Sequence, residues 1–371
     1  MKLTIERTAL LKSLGHVQSV VERRNTIPIL SNVKIEASDG KLGLNATDMD
    51  LEIVESIAAD VAQPGATTVA AHTLFDIVRK LPEGSQLDFD AGGDGQLEFS
   101  SGRSRFTLAC LPTEEFPVMS SGELPHEFKL TTAELRGLID RTRFAISTEE
   151  TRYYLNGIYL HAAKRDSTPL LRAVATDGHR LASVDTPLPA AAAGIPGVIV
   201  PRKAVTELRK LIDESSNEVT IGLSETKIQF SFDDAVLTSK LIDGTFPDYQ
   251  RVIPKENDKE LNVDRQLFVD AVGRVSAISS EKSRAVKLTL AKGTLVLSAS
   301  SPEHGSATEE LEVNYRGGDL EIGFNSAYLL DIARQIEGDS AQLTLADAAS
   351  PTIMRTVDDT SALYVLMPMR V

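Results

Sequence analysis

A chain of 371 residues with a formal net charge of −14 has room for two or three domains, and its 42% hydrophobic content lets each bury a core. The single cysteine, Cys110, excludes an intrachain disulfide and a cysteine zinc cage and suits a reducing cytoplasm; the acidic balance argues against a surface that binds nucleic acid all over. Met1–Arg7 carries charges where a secretory leader needs apolar residues, and the apolar run Ala190–Val200 is interrupted by Gly194, Pro196 and Gly197, so a cytoplasmic protein without a membrane segment is expected.

In chain order, the first element is a strand through Ile5 that runs into an amphipathic helix carrying Leu10 and Leu14. The same pattern returns at Leu130, Leu135 and Ile139, and again at Val263, Phe268 and Val272. A spacing of roughly 130 residues is the size of a domain, not of a solenoid repeat. Each copy then shows a short apolar strand and a second helix, at Thr68–Arg79, Ile199–Lys210 and Gly323–Arg334, with an acid before Ile or Leu on the same turn: Asp76, Glu207 and Asp331. Alternating segments such as 34–44, 227–232 and 287–298 have the period of half-buried strands. Closing strands correspond at Phe106–Pro112, Val236–Leu241 and Leu363–Pro368, and polar, Pro-bearing linkers are expected near Met119–Pro125 and Pro247–Lys259. The fold class that follows is α+β: three repeated domains, 1–124, 125–256 and 257–371, each with two helices laid on strands.

Charge is sorted along this pattern. The six helical stretches Arg7–Arg24, Thr73–Leu81, Thr132–Ser147, Arg202–Ile212, Arg265–Lys282 and Ser326–Ile336 together carry +9, leaving −23 for strands and loops. If the helices share one side, that side attracts a polyanion that the rest repels. Helix propensity alone would also put some Lys and Arg there.

Signals for catalysis are weak. No Walker A, G-x-G-x-x-G, G-x-S-x-G or H-E-x-x-H pattern occurs. The carboxylates of Thr47-Asp48-Met49-Asp50 suggest a cation site less than a solvated pair, and no metal is expected. The run Thr176-Asp177-Gly178-His179-Arg180-Leu181 is the most enzyme-like, yet Asp-Gly is also a strong turn signal and no nucleophile accompanies it. An enzyme using Asp177 and His179, or a repeat scaffold binding only proteins, remain the competing readings.

Four segments together carry a resemblance that covers the whole chain: Arg152–Gly157, Ala175–Leu181, Phe246–Tyr249, and Tyr364–Arg370. They closely resemble the bacterial DNA polymerase III beta subunits, the sliding clamps. The resemblance implies three clamp domains, each with an outer antiparallel sheet and two inner helices, that form half of a head-to-tail dimeric ring around duplex DNA. It implies a processivity factor with no catalytic residue and no cofactor, which holds DNA without regard to sequence. Arg24, Tyr153 and Tyr154 fall at DNA-contacting positions of the family, with Arg202 and Lys203 as additions at the start of a helix. The loop Thr148-Glu149-Glu150 is acidic where relatives are often neutral or basic.

The same resemblance implies a groove that captures a short linear motif from the polymerase III alpha subunit, the clamp-loader delta subunit, other polymerases and repair proteins. Its walls would be Leu155, Thr176, Gly178, His179, Arg180, Leu181, Pro247, Arg251, Val252, Asn325, Tyr328, Val365, Leu366, Met367, Pro368, Met369 and Arg370. Ala349 and Pro351 would form the rim, and Ser283 stands where some relatives have an aromatic residue. The homodimer would join Phe106 and Leu108, on an edge strand, to Ala277 and Ile278 of the partner.

Overall fold

A computed structural model of the chain describes all residues except 94, 120–121, 214–217, 280–283 and 358, so Ser283, Glu281 and Lys282 lie outside the described residues. Six α-helices occur among the described residues: α1 (Arg7–Val20), α2 (Ala71–Lys80), α3 (Thr132–Asp140), α4 (Arg202–Asp213), α5 (Arg265–Ser276) and α6 (Ser326–Ala333). None is long and apolar enough to cross a membrane.

The residue after each aligned apolar position, Glu6, Thr131 and Asp264, caps the helix that follows. Glu6 accepts the Ala9 amide at 2.9 Å and Asp264 the Leu267 amide at 2.8 Å. Thr131 and Glu134 exchange bonds, Oγ1 accepting the Glu134 amide at 3.1 Å and Oε2 the Thr131 amide at 2.8 Å, a capping box. Each cap satisfies helix-end donors that would otherwise be left open, worth about 1 kcal/mol apiece. The aligned pairs Leu10/Leu14, Leu135/Ile139 and Phe268/Val272 are all buried, one helical turn apart.

Four of these helices, α1, α3, α5 and α6, are shorter than the apolar period suggests, while α4 runs one residue further, to Asp213. Arg23 and Arg24 lie beyond α1, Arg141 and Arg143 beyond α3, and Arg334 beyond α6. With these bounds the helices carry +4, not +9, and the charge contrast between helices and the rest is correspondingly smaller.

The chain forms two compact units that do not follow the three repeats. The first comprises Met1–Arg136, Pro189–Pro196 and Val200–Ile242, the second Gly137–Leu188, Gly197–Ile199 and Asp243–Val371, so the middle repeat contributes to both. The cause is sheet continuity. In the first unit one 13-stranded sheet runs on from the middle repeat into the first, where Ala235–Lys240 pairs antiparallel with Leu51–Ala58. In the second unit Arg180–Pro187 pairs antiparallel with Ala362–Leu366, which sets Leu181 opposite Val365 and Arg180 opposite Leu366. A separate four-stranded sheet there has Gly305–Glu312 as an edge strand, hydrogen-bonded only to Thr294–Ser301.

Two of the expected strand segments resolve as hairpins. Residues 34–44 turn at Asp39 and Gly40, with φ of 49° and 72°, and 287–298 turns around Gly293, with φ of 78°. In the first, positive φ at both central residues is that of a type I′ turn, whereas in the second only Gly293 is positive.

An aromatic pile sits in the second unit. Tyr159 stacks on Phe246 with ring centroids 4.8 Å apart and planes 5° from parallel, and on His161 at 4.6 Å. Gly197 makes room for it, since a Cβ there would overlap the Tyr159 hydroxyl. Gly197→Ala is therefore expected to destabilise the protein by about 1–3 kcal/mol through overpacking, read as a lower urea midpoint in circular dichroism. An unchanged midpoint would show that the pile adjusts freely.

Candidate peptide pocket and DNA-facing residues

The apolar cavity that matters lies where the Arg180–Pro187 and Ala362–Leu366 strands pair. It measures about 180 Å³ and is lined by Leu155, Thr176, Gly178, Arg180, Leu181, Pro247, Val252, Val365 and Met367, with Asp248 and Tyr249 completing the wall. Asp248 and Tyr249 were absent from the walls inferred from the sequence, although Phe246–Tyr249 is one of the segments that carried the resemblance. The stretch 247–259, expected as a linker, is in fact structural: Tyr249–Val252 forms a short 3-10 turn and Tyr249 is buried.

Local hydrogen bonds shape the wall. Asp177 Oδ1 accepts the amides of His179 at 2.9 Å and Arg180 at 3.0 Å, and Gly178 takes the left-handed φ of 88° that the turn requires. Arg152 lies over this turn, its Nη1 2.9 Å from where a Gly178 Cβ would stand; that flexible side chain could shift, so it is the backbone φ that selects glycine. The Arg180 guanidinium, mostly buried, donates to Asp177 Oδ2 at 3.1 Å, Asp331 Oδ2 at 2.6 Å and the Phe144 carbonyl at 2.7 Å, and lies 4.4 Å from the Tyr328 ring centroid. With Asp177 so occupied and the His179 ring stacked on Tyr328 at 6.0 Å, this cluster is a braced turn, not a catalytic pair.

The remaining wall residues spread around this cavity. Tyr328 and His179 stack beside Arg180, and Asn325 caps α6 by accepting the Ala327 amide at 3.0 Å. Pro368 and Met369 follow the last strand, where the Met369 amide donates to the Gly323 carbonyl at 2.9 Å, and Arg370 is exposed. Arg251 and Pro351 line a second, more open hollow with Asp248, while Ala349 is exposed on the loop capped by Asp347. Leu366 is a correction: its side chain is fully buried in the core and does not line the cavity, because successive strand residues face opposite ways and Val365 faces the pocket.

Behind the pocket is a polar network. The Tyr249 hydroxyl lies 3.0 Å from His161 Nε2 and 3.4 Å from Arg172 Nη1. Arg172 grips the buried Asp185 through Nε at 2.6 Å and Nη2 at 2.8 Å, and Arg165 also donates to Asp185.

Among the expected DNA-contacting residues, Arg24 is exposed just after α1 and Arg202 is exposed at the start of α4. Tyr153 is half exposed, packed edge-on against Tyr154 at 5.8 Å, on the 3-10 turn Glu150–Leu155 that also delivers Leu155 to the pocket. Glu149 pairs with Arg152 at 3.2 Å. Lys203 is a correction. Its ammonium donates to Asp48 Oδ2 at 2.5 Å and to the Val20 carbonyl at 2.9 Å, so it braces the end of α1 instead of standing free. The carboxylates at 48 and 50 are likewise engaged, Asp48 Oδ1 by the Asp50 and Leu51 amides and Asp50 by Lys240 at 2.9 Å.

The strand Ser104–Leu111 pairs along its length with Gln96–Ser101 but meets Gly65–Ala70 only at Cys110 and Leu111, so Ser104–Ala109 has an unpaired flank. Phe106 and Leu108 are half-buried there, Phe106 stacked on Phe99 at 4.8 Å. Ala277 is exposed and Ile278 half-buried just past α5. A buried Ser13–Glu55–His16 cluster in the first unit, with Glu55 Oε1 2.6 Å from Ser13 and Oε2 2.9 Å from His16, was not foreseen from the sequence. The carboxylate lies between hydroxyl and imidazole, an order in which the imidazole does not take the serine proton.

Comparison with known proteins covers the whole chain. The N-terminal, central and C-terminal domain families of the DNA polymerase III beta subunit match residues 1–120, 129–248 and 250–370. The beta sliding clamp of Caulobacter vibrioides strain NA1000 is 54% identical over 372 residues, with 100% of both chains covered, and that of Escherichia coli K12 is 40% identical over 373 residues, again with full coverage. A sliding clamp of Bartonella birtlesii solved bound to griselimycin superposes with a TM-score of 0.97 at 52% identity, covering 100% of both chains.

The two basic residues that open α4 should behave differently. Lys203→Ala is expected to lower stability by up to about 1 kcal/mol, the range of a partly exposed ion pair, while Arg202→Ala leaves the urea midpoint in place. Equal midpoints for the two variants would mean that the Asp48 contact does not brace α1.

Proposed function

The chain belongs to the DNA polymerase III beta subunit family and is a sliding clamp that gives the replicative polymerase its processivity without catalysis of its own; on that premise we propose that two copies close head to tail into a ring around duplex DNA in the cytoplasm. Its domains are 1–124, 125–256 and 257–371. Head-to-tail contacts close into a ring when the rotation per subunit is right, and two three-domain chains supply six similar segments.

Ring closure adds the partner's third domain to the unpaired flank of Ser104–Ala109. Phe106 and Leu108 meet Ala277 and Ile278, and burying a large apolar side chain is worth about 1.5–3 kcal/mol. Charge favours the same pairing: Arg103 and Arg105 precede Phe106, whereas the edge strand Gly305–Glu312 carries Glu310 and Glu312 beside Glu309, which pairs with Arg274. DNA is held by topology and by weak phosphate contacts through Arg24 and Arg202, with Tyr153 and Tyr154 stacking on exposed bases. Lys203, held by Asp48, contributes mainly by placing its neighbour Arg202.

The observation that carries the tethering role is the preformed apolar cavity of about 180 Å³ with a few polar groups at its edge. Such a pocket suits an extended peptide with one or two apolar anchors. Met367, 40% exposed, is flexible enough to mould around different anchors, so the alpha subunit, the clamp-loader delta subunit, other polymerases and repair proteins would use it in turn.

Two experiments test this reading. Clamp loaded onto nicked circular DNA is expected to stay bound through gel filtration and to be lost when the circle is linearised, and Phe106→Asp is expected to give folded monomers that are never retained. Retention on linear DNA would rule out encirclement. A Gln-Leu-x-Leu-Phe-like peptide is expected to bind the native protein and to lose at least about tenfold affinity in the Met367→Ala/His179→Ala variant, roughly 1.4 kcal/mol. Equal affinities in calorimetry would place the peptide elsewhere.

A further inference from the structure

The network behind the pocket contains a titratable group that the clamp's tethering role does not itself require. Tyr249 is 6% exposed and lines the cavity, so its position helps set the shape of the peptide's seat. Its hydroxyl turns inward to His161 Nε2 at 3.0 Å and Arg172 Nη1 at 3.4 Å. The protonation pattern follows from the partners. His161 Nδ1 lies 2.9 Å from the Ala162 carbonyl, which only accepts, so Nδ1 carries the proton and Nε2 of the neutral ring is an acceptor. Tyr249 therefore donates to His161 and accepts from Arg172.

We propose that His161 is a positioning residue for the peptide pocket: its neutral imidazole fixes the Tyr249 hydroxyl, and partner-peptide affinity falls when His161 takes a proton. This rests on the peptide-capture reading of the pocket. A second ring N–H at Nε2 leaves the Tyr249 oxygen facing two donors, and its own hydrogen must turn away from its partner inside a buried site. The imidazolium would also lie near the Arg172 guanidinium, and the nearby carboxylate, Asp185, is already shared by Arg172 and Arg165. The other groups around the ring are Tyr159, stacked on it at 4.6 Å, and Tyr249 itself. Burial pushes the His161 pKa below its ordinary value; the Ala162 carbonyl pulls it up, Arg172 pushes it down and Asp185 pulls it up, with a net fall. The ring is thus neutral at neutral pH, the network is intact there, and the loss belongs to the acid side of about pH 6.5.

Calorimetry of the full chain with the uncharged peptide acetyl-Gln-Leu-Ser-Leu-Phe-amide, from about pH 8 to pH 5, tests this. The native protein is expected to bind roughly fivefold more weakly at the acid end, the effect of one hydrogen bond. His161→Gln, which keeps an acceptor and does not titrate, should remove the step. Tyr249→Phe, which keeps the ring without its hydroxyl, should also remove it, so the test stands even if one variant fails to fold. His179→Gln should keep the step, which separates His161 from the histidine stacked on Tyr328. A flat native profile, a step that survives in His161→Gln, or one abolished by His179→Gln would overturn the proposal. Absence of any peptide binding by the native protein at pH 8 would instead fail the pocket reading beneath it.

Discussion

Arg180–Pro187 and Ala362–Leu366 lie far apart in sequence, yet their backbone ladder sets Leu181 against Val365 and continues the sheet of one repeat into the next. Backbone donors and acceptors in a buried sheet must be paired, so the register cannot slip without turning every side chain to the wrong face. From that register the rest of the pocket follows. Arg180, at the end of the ladder, reaches Asp331 on α6 and the carbonyl of Phe144, and Met367 leaves the last strand with its amide on the His179 carbonyl at 2.9 Å. Strands thus supply Thr176, Arg180, Leu181 and Val365, while the turns and loops around them supply the rest of the wall.

The repeat was legible in the sequence from one code, and the structure shows that a second agrees with it. One is the apolar period that buries Leu10, Leu135 and Phe268, and the other is the cap that precedes it, Glu6, Thr131 and Asp264. The aligned acids of the second helices are different: their position repeats but their partners do not. Asp76 pairs with Arg79 on the surface, Glu207 is buried against Ser19 and Lys210, and Asp331 braces Arg180. Alignment located these residues, while their roles depended on what the fold brought to them.

What stayed hidden was mostly tertiary. Nothing local marks Lys203 as the partner of Asp48, 155 positions earlier, so it read as a free cation at a helix start. Leu366 was grouped with Val365 because a motif is contiguous in sequence, whereas a strand alternates its faces. The ends of α1, α3, α5 and α6 were overrun because apolar periodicity continues past the last hydrogen-bonded turn, which accounts for most of the inflated helical charge. The proline-bearing stretch after Phe246 had the composition of a linker, and only the burial of Tyr249 reveals it as part of the pocket.

The open flank of Ser104–Ala109 has a consequence beyond the closed assembly. A strand with unpaired amides and carbonyls is a template for any other strand. Charge discourages the wrong choice. Two Gly305–Glu312 edges that met would bring together the carboxylates of Glu310 and Glu312, and two Ser104–Leu111 edges would each bring an Arg105. Such edges are thus protected from aggregation by repulsion between like edges, and the acidity of the chain as a whole adds to the same safeguard.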